Sequence, residues 1–326
     1  MAGPYREKIF GVLVKVETTS GTDAVPTGSA DAVKLVGIPT LTYGYLEQGN
    51  RDDVQSGRLI REDRTEAAGR FGRIEVTLEV KGSGAAGTAP EADALLRISG
   101  RSKSVSAGVS VTYTTLDEGM ETGTVYCYSA GKLFKLVGCI ASMKLSAEAA
   151  KRGLMTFSIV GKMSSDPTEV SLPALTLSSI LPPLFHTSVA SIGSWASNAG
   201  SDPLVVKSAE LDDAAITTER PSAGAADGLV GYLITDRAMK QTMNVEVPAL
   251  ATFDAYALSK AVGSSQPLSV WQIGVSAGNR LIIQTGRWSQ EAPKMGAVGG
   301  INTMSLEGTL GAGAPTSGRD LNLVYS

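Results

Sequence analysis

Few residues in this chain could do chemistry, and their spacing limits what each can do. One histidine occurs in 326 residues, His186, directly after Pro182-Pro183-Leu184-Phe185. A metal site or a nucleophile–base pair needs partners at set spacing, and no Cys–His or Asp–His pattern supplies them. His186 therefore reads as a loop histidine. Gly82-Ser83-Gly84-Ala85-Ala86-Gly87 fits G-x-G-x-x-G and follows a strand-like run. A dinucleotide fingerprint also needs a helix opening inside that loop and an acid about 20 residues later. Here the helical signal starts only at Pro90, and the region near Ala107 has no acid. The loop reads as a surface loop, not a phosphate cradle. Cys127 and Cys139 are the only cysteines. With Ala130-Gly131 at a hairpin tip, Cys127 faces a position near Phe134 and Cys139 lies beyond it. Two buried free thiols are expected, which points to a reducing compartment.

The most charged stretch runs from Leu46 to Arg70 and carries Arg51, Asp52, Asp53, Arg58, Arg61, Glu62, Asp63, Arg64, Glu66 and Arg70. Both signs are interleaved, so it has little net field for DNA. It is either a solvated loop or a long hairpin arm that docks on another subunit through complementary charge. We take the arm as the working expectation.

Composition narrows the class. The chain is 43% hydrophobic and 19% charged with 37 glycines, a globular balance leaning toward strands and turns. Its length allows two domains, each with a core. A net charge of −3 and a pI near 5.4 exclude a global basic footprint for nucleic acid. The opening Met-Ala-Gly-Pro-Tyr-Arg-Glu-Lys is too polar for a signal peptide, and no apolar run approaches the ~20 residues of a membrane span. A soluble product made in the cytoplasm is expected.

The elements that would position these residues occur twice. Ser129-Ala130-Gly131 followed by Thr156-Phe157-Ser158-Ile159-Val160-Gly161 is answered, at the same separation, by Ser276-Ala277-Gly278 and Thr303-Met304-Ser305-Leu306-Glu307-Gly308. Arg73 to Val80 alternates, with Ile74, Val76, Leu78 and Val80 on one face and Arg73, Glu75, Thr77 and Glu79 on the other. Lys240 to Val247 matches it at an offset of 167, with Lys240, Thr242, Asn244 and Glu246 as its polar face. Each copy opens with an extended segment, Lys34–Ile38 or Leu204–Ser208. After the long strand comes a short helix, Pro90–Ile98 or Thr252–Leu258, with acids or a capping residue at its start. A hairpin follows, Thr124–Tyr128 with Leu133–Val137, or Val270–Val275 with Leu281–Gln284. Met155–Val160 or Thr303–Leu310 closes the copy. Only the first copy shows a charged arm and a glycine loop. The boundaries are 1–163, a Pro/Ser-rich connector 164–203, and 204–326. The connector holds Leu175, Leu177, Ile180, Leu181, Leu184, Phe185 and Trp195, so it should pack on a surface.

The segment Lys15-Val16-Glu17-Thr18-Thr19-Ser20-Gly21-Thr22-Asp23-Ala24-Val25-Pro26-Thr27-Gly28 resembles the opening of major tail tube proteins of long-tailed, non-contractile (siphovirus-like) bacteriophages. Val76–Val80 through Gly82–Pro90 to Leu95-Leu96-Arg97, Val111-Thr112-Tyr113-Thr114, and Ile234-Thr235-Asp236-Arg237 look like the same family. The resemblance covers most of the chain, and its specificity lies in the ordered set. It implies a mainly β fold of two tandem tail-tube-like β-sandwich or barrel domains, each with a short flanking helix. It implies no catalytic residue, cofactor or metal. It also implies rings, trimeric with pseudo-six-fold symmetry, stacked into a virion tail tube for DNA ejection. The implied partners are the chain itself, a tape measure protein and genomic DNA held weakly in the lumen, and the tail terminator and distal tail proteins, with no membrane. A terminator or baseplate ring, or a secretion-system tube, is the alternative.

Strand geometry agrees with that count. With strands ~4.8 Å apart and tilted ~40°, 24 strands give a backbone diameter near ~48 Å, whereas 12 give only ~24 Å. Only the wider barrel passes a duplex of about 20 Å. DNA carries one phosphate charge per ~1.7 Å of axis, so a conduit should be neutral to acidic. The expected lumen lining is therefore Arg73, Glu75, Thr77, Glu79, Lys240, Thr242, Asn244 and Glu246, with Arg73 and Lys240 near a rim or paired with acids. Arg51, Asp52, Asp53, Arg58, Arg61, Glu62, Asp63 and Arg64 are the expected contacts between subunits or rings.

Overall fold

Alternation of apolar and polar residues, interrupted by glycine turns, makes this chain a run of strands. The structure is a computed structural model that describes residues 5–53, 62–186, 190–192, 204–263, 266–311 and 321–326. The first copy forms β1 (Phe10–Val16), β2 (Ala32–Val33), β3 (Thr40–Asp53), β4 (Glu62–Glu79), α1 (Asp93–Ile98), β5 (Arg101–Ser106), β6 (Ser110–Thr115), β7 (Gly123–Ser129), β8 (Lys132–Glu148) and β9 (Leu154–Met163). The connector gives β10 (Thr168–Glu169) and β11 (Ala190–Ile192). The second copy forms β12 (Val206–Asp212), β13 (Ala215–Pro221), β14 (Leu229–Arg237), β15 (Lys240–Glu246), α2 (Ala255–Leu258), β16 (Ser269–Ile273), β17 (Leu281–Thr285), β18 (Arg287–Gln290), β19 (Lys294–Val298), β20 (Ile301–Gly311) and β21 (Leu321–Tyr325). The fold is mainly β, with antiparallel pairing throughout.

One run of neighbouring strands crosses both copies. It reads β3-β4-β9-β8 from the first copy, then β12-β15-β20 from the second, and β20 ends the run on β18 and β19, which pair with its two halves. The junction is β8 against β12, from Glu148↔Ser208 to Lys144↔Asp212. A second sheet, β11-β16-β17-β21-β6-β5, packs behind it. There the last strand, β21, lies between β17 of the second copy and β6 of the first. Length alone allows two separate cores; the largest buried cluster instead contains Ile74, Phe157 and Met143 together with Leu211, Trp271 and Leu323.

The hairpins follow their turn residues. Ala130 (φ 50°) and Gly131 (φ 70°) both take positive φ, the geometry of a two-residue type I′ turn, and Cys127 does face Phe134. Gly299 and Gly300 (φ 61° and 81°) make the equivalent turn between β19 and β20. Strand β8 runs on past the expected Val137 to Glu148, through a bulge between Val137 and Ile140. Both helices are shorter than expected. α1 begins at Asp93 instead of Pro90, and α2 follows Asp254, whose side chain accepts from the Ala257 N–H as an N-cap.

Pairing also corrects the alignment of the copies. β3 and β4 kink where Leu46 and Gly69 fall out of the ladder, and Gly69 has φ 67°. In the second copy the matching break separates β12 from β13 at residues 213–214 and β14 from β15 at residues 238–239. Gly69 therefore corresponds to Ala238, an offset of 169, two residues from the offset read off sequence. The opening segments change partners too: β12 answers β3, not Lys34–Ile38. The hairpin β13–β14 is then the second copy's arm, so both copies carry one. The arm was missed because its sequence carries less charge than the first.

Buried polar groups fix the start of the chain. Glu17 accepts from the Gly21 and Gly138 N–H groups (2.7 and 2.8 Å) and from the Thr122 and Thr124 hydroxyls (2.7 and 2.8 Å). Replacing Glu17 by Ala strands these donors and should cost roughly 3 kcal/mol of stability in urea unfolding. Cys127 and Cys139 are both free and buried, and burial pushes the Cys127 thiol up to about 12 and raises Cys139 as well. Maleimide at pH 8 should label neither in the folded chain and both after denaturation, because the reactive thiolate is suppressed.

Candidate functional site

Residues directly opposite in an antiparallel pair point to the same side, so pairing alone assigns the faces. Arg73, Glu75, Thr77 and Glu79 stand opposite Val160, Ser158, Thr156 and Leu154. Those stand opposite Ile140, Ser142, Lys144 and Ser146 of β8. Across the junction Lys144 and Ser146 meet Asp212 and Glu210, which meet Lys240 and Thr242. Lys240, Thr242, Asn244 and Glu246 face Thr309, Glu307, Ser305 and Thr303. All eight residues expected on polar faces thus share one face of one continuous sheet. Their strand neighbours Ile74, Val76, Leu78, Met243 and Val245 are buried on the other side.

Four acids on this face are paired locally. Arg152 reaches Glu79 (2.5 Å), Lys144 crosses the junction to Glu210 (2.7 Å), Lys207 pairs with Glu246 (2.5 Å), and Lys294 pairs with Glu307. The hydrogen bond that Lys144 donates to Glu210 raises the Lys144 pKa, and the one that Lys294 donates to Glu307 lowers the Glu307 pKa. Such exposed pairs add little stability. Their effect is to flatten the field of a face rich in Glu, Ser and Thr. Between the charges, Thr77 and Thr156 share a hydrogen bond of 3.0 Å, and Asn244 donates to Ser208 at 2.9 Å.

One end of the face is apolar and roofed. Ile140 and Val160 are covered by Leu229, Tyr232 and Ile234 of β14, with Leu46 and Phe71 alongside. The hairpin is held there by Lys162 against Asp227 (2.8 Å) and by the Gly69 N–H donating to the Asp227 carbonyl (2.6 Å). The Arg73 guanidinium lies 5.6 Å from the Phe71 ring centre. Between the hairpin root and the sheet is a groove of about 300 Å³, lined among others by Thr40, Thr42, Arg73, Glu75, Ser142, Ser158 and Thr217.

At the root of the hairpin sits a buried ion cluster that sequence reading missed. Asp213 is fully buried, and Arg237 donates to both of its carboxylate oxygens at 2.9 Å. Arg101, also fully buried, approaches the same carboxylate at 3.3 Å. Arg237 further donates to the Ser99 carbonyl at 2.8 Å. A side chain at Gly100 (φ 73°) would collide with Arg237. Burial lowers the Arg101 pKa against the pull of Asp213, but guanidinium stays charged in proteins. The cluster therefore locks the break between β12 and β13 to the first copy. Its one sequence signal was an Asp-Asp pair standing between two strand runs.

The other expected sites separate. Arg51, Asp52 and Asp53 lie in β3 opposite Arg64, Asp63 and Glu62 of β4, so the charged stretch is a hairpin with like-charged residues at facing positions. Arg58, Arg61 and Trp195 lie outside the described residues. The glycine loop interlocks with the second copy's Ser276–Gly278 turn: the Gly82 N–H donates to Asn279 Oδ1 (2.8 Å) and the Gly84 N–H to the Gly278 carbonyl (2.9 Å). A Cβ at Gly82 would overlap that carbonyl, so close backbone approach explains the glycines. His186 is exposed beside Phe185, whose ring packs edge-on against Trp271. Among the described residues no group of three His, Cys, Asp or Glu could hold a metal ion, and no helix is long and apolar enough to cross a membrane.

No protein-family model matches this chain, and no curated protein matches it.

Removing Asp213 leaves two buried guanidinium groups without their anion. Asp213→Ala should cost roughly 3–5 kcal/mol in denaturant unfolding. It should also expose residues 221–228 to limited proteolysis, whereas Glu219→Ala on the exposed side of the hairpin should stay within about 0.5 kcal/mol of the parent.

Proposed function

We propose that the chain is the tube-forming subunit of a long-tailed, non-contractile bacteriophage tail, assembling as trimeric rings with pseudo-six-fold symmetry that stack into a conduit for DNA. The observation that carries this reading is the strand run with four positions from each copy and, among the described residues, an unpaired edge at each end. Three such chains would supply the 24 strands that a duplex-wide barrel requires. Closure would also remove the exposed edges.

The polar face supports the lumen assignment. Glu79, Glu210, Glu246 and Glu307 are each paired with a Lys or Arg, serine, threonine and asparagine side chains lie between them, and the basic residues held in those pairs offer DNA phosphates little to grip. A tape measure protein before ejection and genomic DNA during it are the proposed occupants, both held weakly. Tail terminator and distal tail proteins would cap the two ends, and the tail of the virion is the place of action. The arms β3–β4 and β13–β14 suit contact between stacked rings, with Arg51, Asp52, Asp53, Glu62, Asp63 and Arg64 on the first of them. No step of this role requires a catalyst, cofactor or metal.

Negative-stain microscopy of the purified chain tests the reading. Long hollow tubes are expected. Isolated rings that never stack would favour the terminator or baseplate alternative. A monomer that persists at every concentration would contradict ring formation altogether.

A further inference from the structure

The chain contains a template for its own contact with the next chain. If β9 and β20 are matched at Gly161 and Gly308, each pairing register carries the alignment to its neighbour. Residues 142–146 of β8 then correspond to β19, and β12 corresponds to residues 40–44 of β3. The kinks at Leu46 and Ala214 coincide under this match, which fixes it independently.

Matched positions differ sharply in exposure. Met143 is fully buried beside the β8·β12 junction, whereas its counterpart Met295 is 57% exposed. Leu211 is fully buried, whereas its counterpart Tyr43 is only partly covered. Ala297 alternates with Met295 on that same side of the hairpin, whereas Val298 at 65% and Ile301 at 48% stand opposite each other on its other face, the one that carries Thr303 and Ser305. Among the described residues β19 pairs only with β20, and β3 only with β4. An apolar strand edge of this kind invites pairing unless something covers it.

We infer that β19 of one chain pairs antiparallel with residues 40–44 of β3 in a second copy, with Gly296 opposite Gly44, Val298 opposite Thr42 and Gly300 opposite Thr40. This deepens the ring reading and rests on it: the β8·β12 junction is repeated between chains with the same register. Two glycines at facing positions let the backbones approach without side-chain conflict. The contact departs from its template in one respect. The Lys144–Glu210 pair is replaced by Gly296 and Thr42, so the contact between chains has no counterpart of that ion pair and depends more on its apolar strip.

Cysteine cross-linking tests the register. The full chain carrying Thr42→Cys and Val298→Cys, both at exposed positions, is oxidised after assembly and run on a non-reducing gel; the native thiols are buried. Covalent dimers and trimers are expected, ending at three chains. A mixture of the two single variants should give dimers only. Ile38→Cys with Val298→Cys reports a register displaced by four residues, about 13 Å along the strand, and should not cross-link. If that pair cross-links instead, or if neither pair does although tubes are seen, the inferred pairing is wrong while the ring reading stands. If the unmodified chain forms neither rings nor tubes, the ring reading fails and the pairing falls with it.

Discussion

The hydrogen-bonded junction between β8 and β12 determines most of what this molecule is. Strand β8 spans 17 residues and takes β7, β9 and β12 as partners along its length. Each ladder hydrogen bond contributes about 1 kcal/mol net, and full burial of one Leu or Met about 2 kcal/mol. The strip Met143, Leu145, Ala147, Ala209 and Leu211 therefore contributes at least as much as the ladder beside it. Without the junction, each copy would present an open edge and an uncovered strip. With it, the copies share a sheet and a core.

The junction also dictates where the arms go. A strand that pairs straight along its neighbour cannot leave the sheet without a break, and Asp213 is that break. Its carboxylate collects Arg237 from the end of β14 and Arg101 from the first copy, so hairpin β13–β14 is laid over Ile140 and Val160 of the other copy. A buried triad of this kind favours specificity more than stability, since an apolar replacement could be equally stable. At the root of the first arm Leu46 and Gly69 leave the ladder, Leu46 packs against the β14 cluster, and the Gly69 N–H donates to the Asp227 carbonyl. The two arms are equivalent in topology and differ in the groups that hold their roots.

Much of this was legible in the sequence, and the failures have physical causes. The alternation in β4 and β15 gave the polar face correctly, because period-two patterning survives wherever one face is buried. The Ser-Ala-Gly and Thr-x-Ser-x-x-Gly spacing falls on two hairpin turns and on strands β9 and β20. What sequence could not give was the second half of β8. Residues 138–148 pass through a bulge, and Gly138 and Ala141-Ser142 carry no clear strand signal of their own. Losing that segment hid the junction and left each copy a strand short. The second arm was hidden for a related reason: its residues are polar and turn-rich, and only pairing to its own root shows that it matches the first. The partner of the glycine loop, Gly278 of the other copy, lies nearly 200 residues away and leaves no local trace.

If two ring units per chain is correct, the symmetry of the assembled object follows. The direct measurement is a cryo-electron microscopy reconstruction of tubes grown from the purified chain, read for the number of chains per ring and the face of the sheet that lines the bore. The account predicts three chains per ring, a wall of 24 strands, and Glu79 and Glu246 facing the lumen. Six chains per ring, or a bore lined by the opposite face of the sheet, would contradict it.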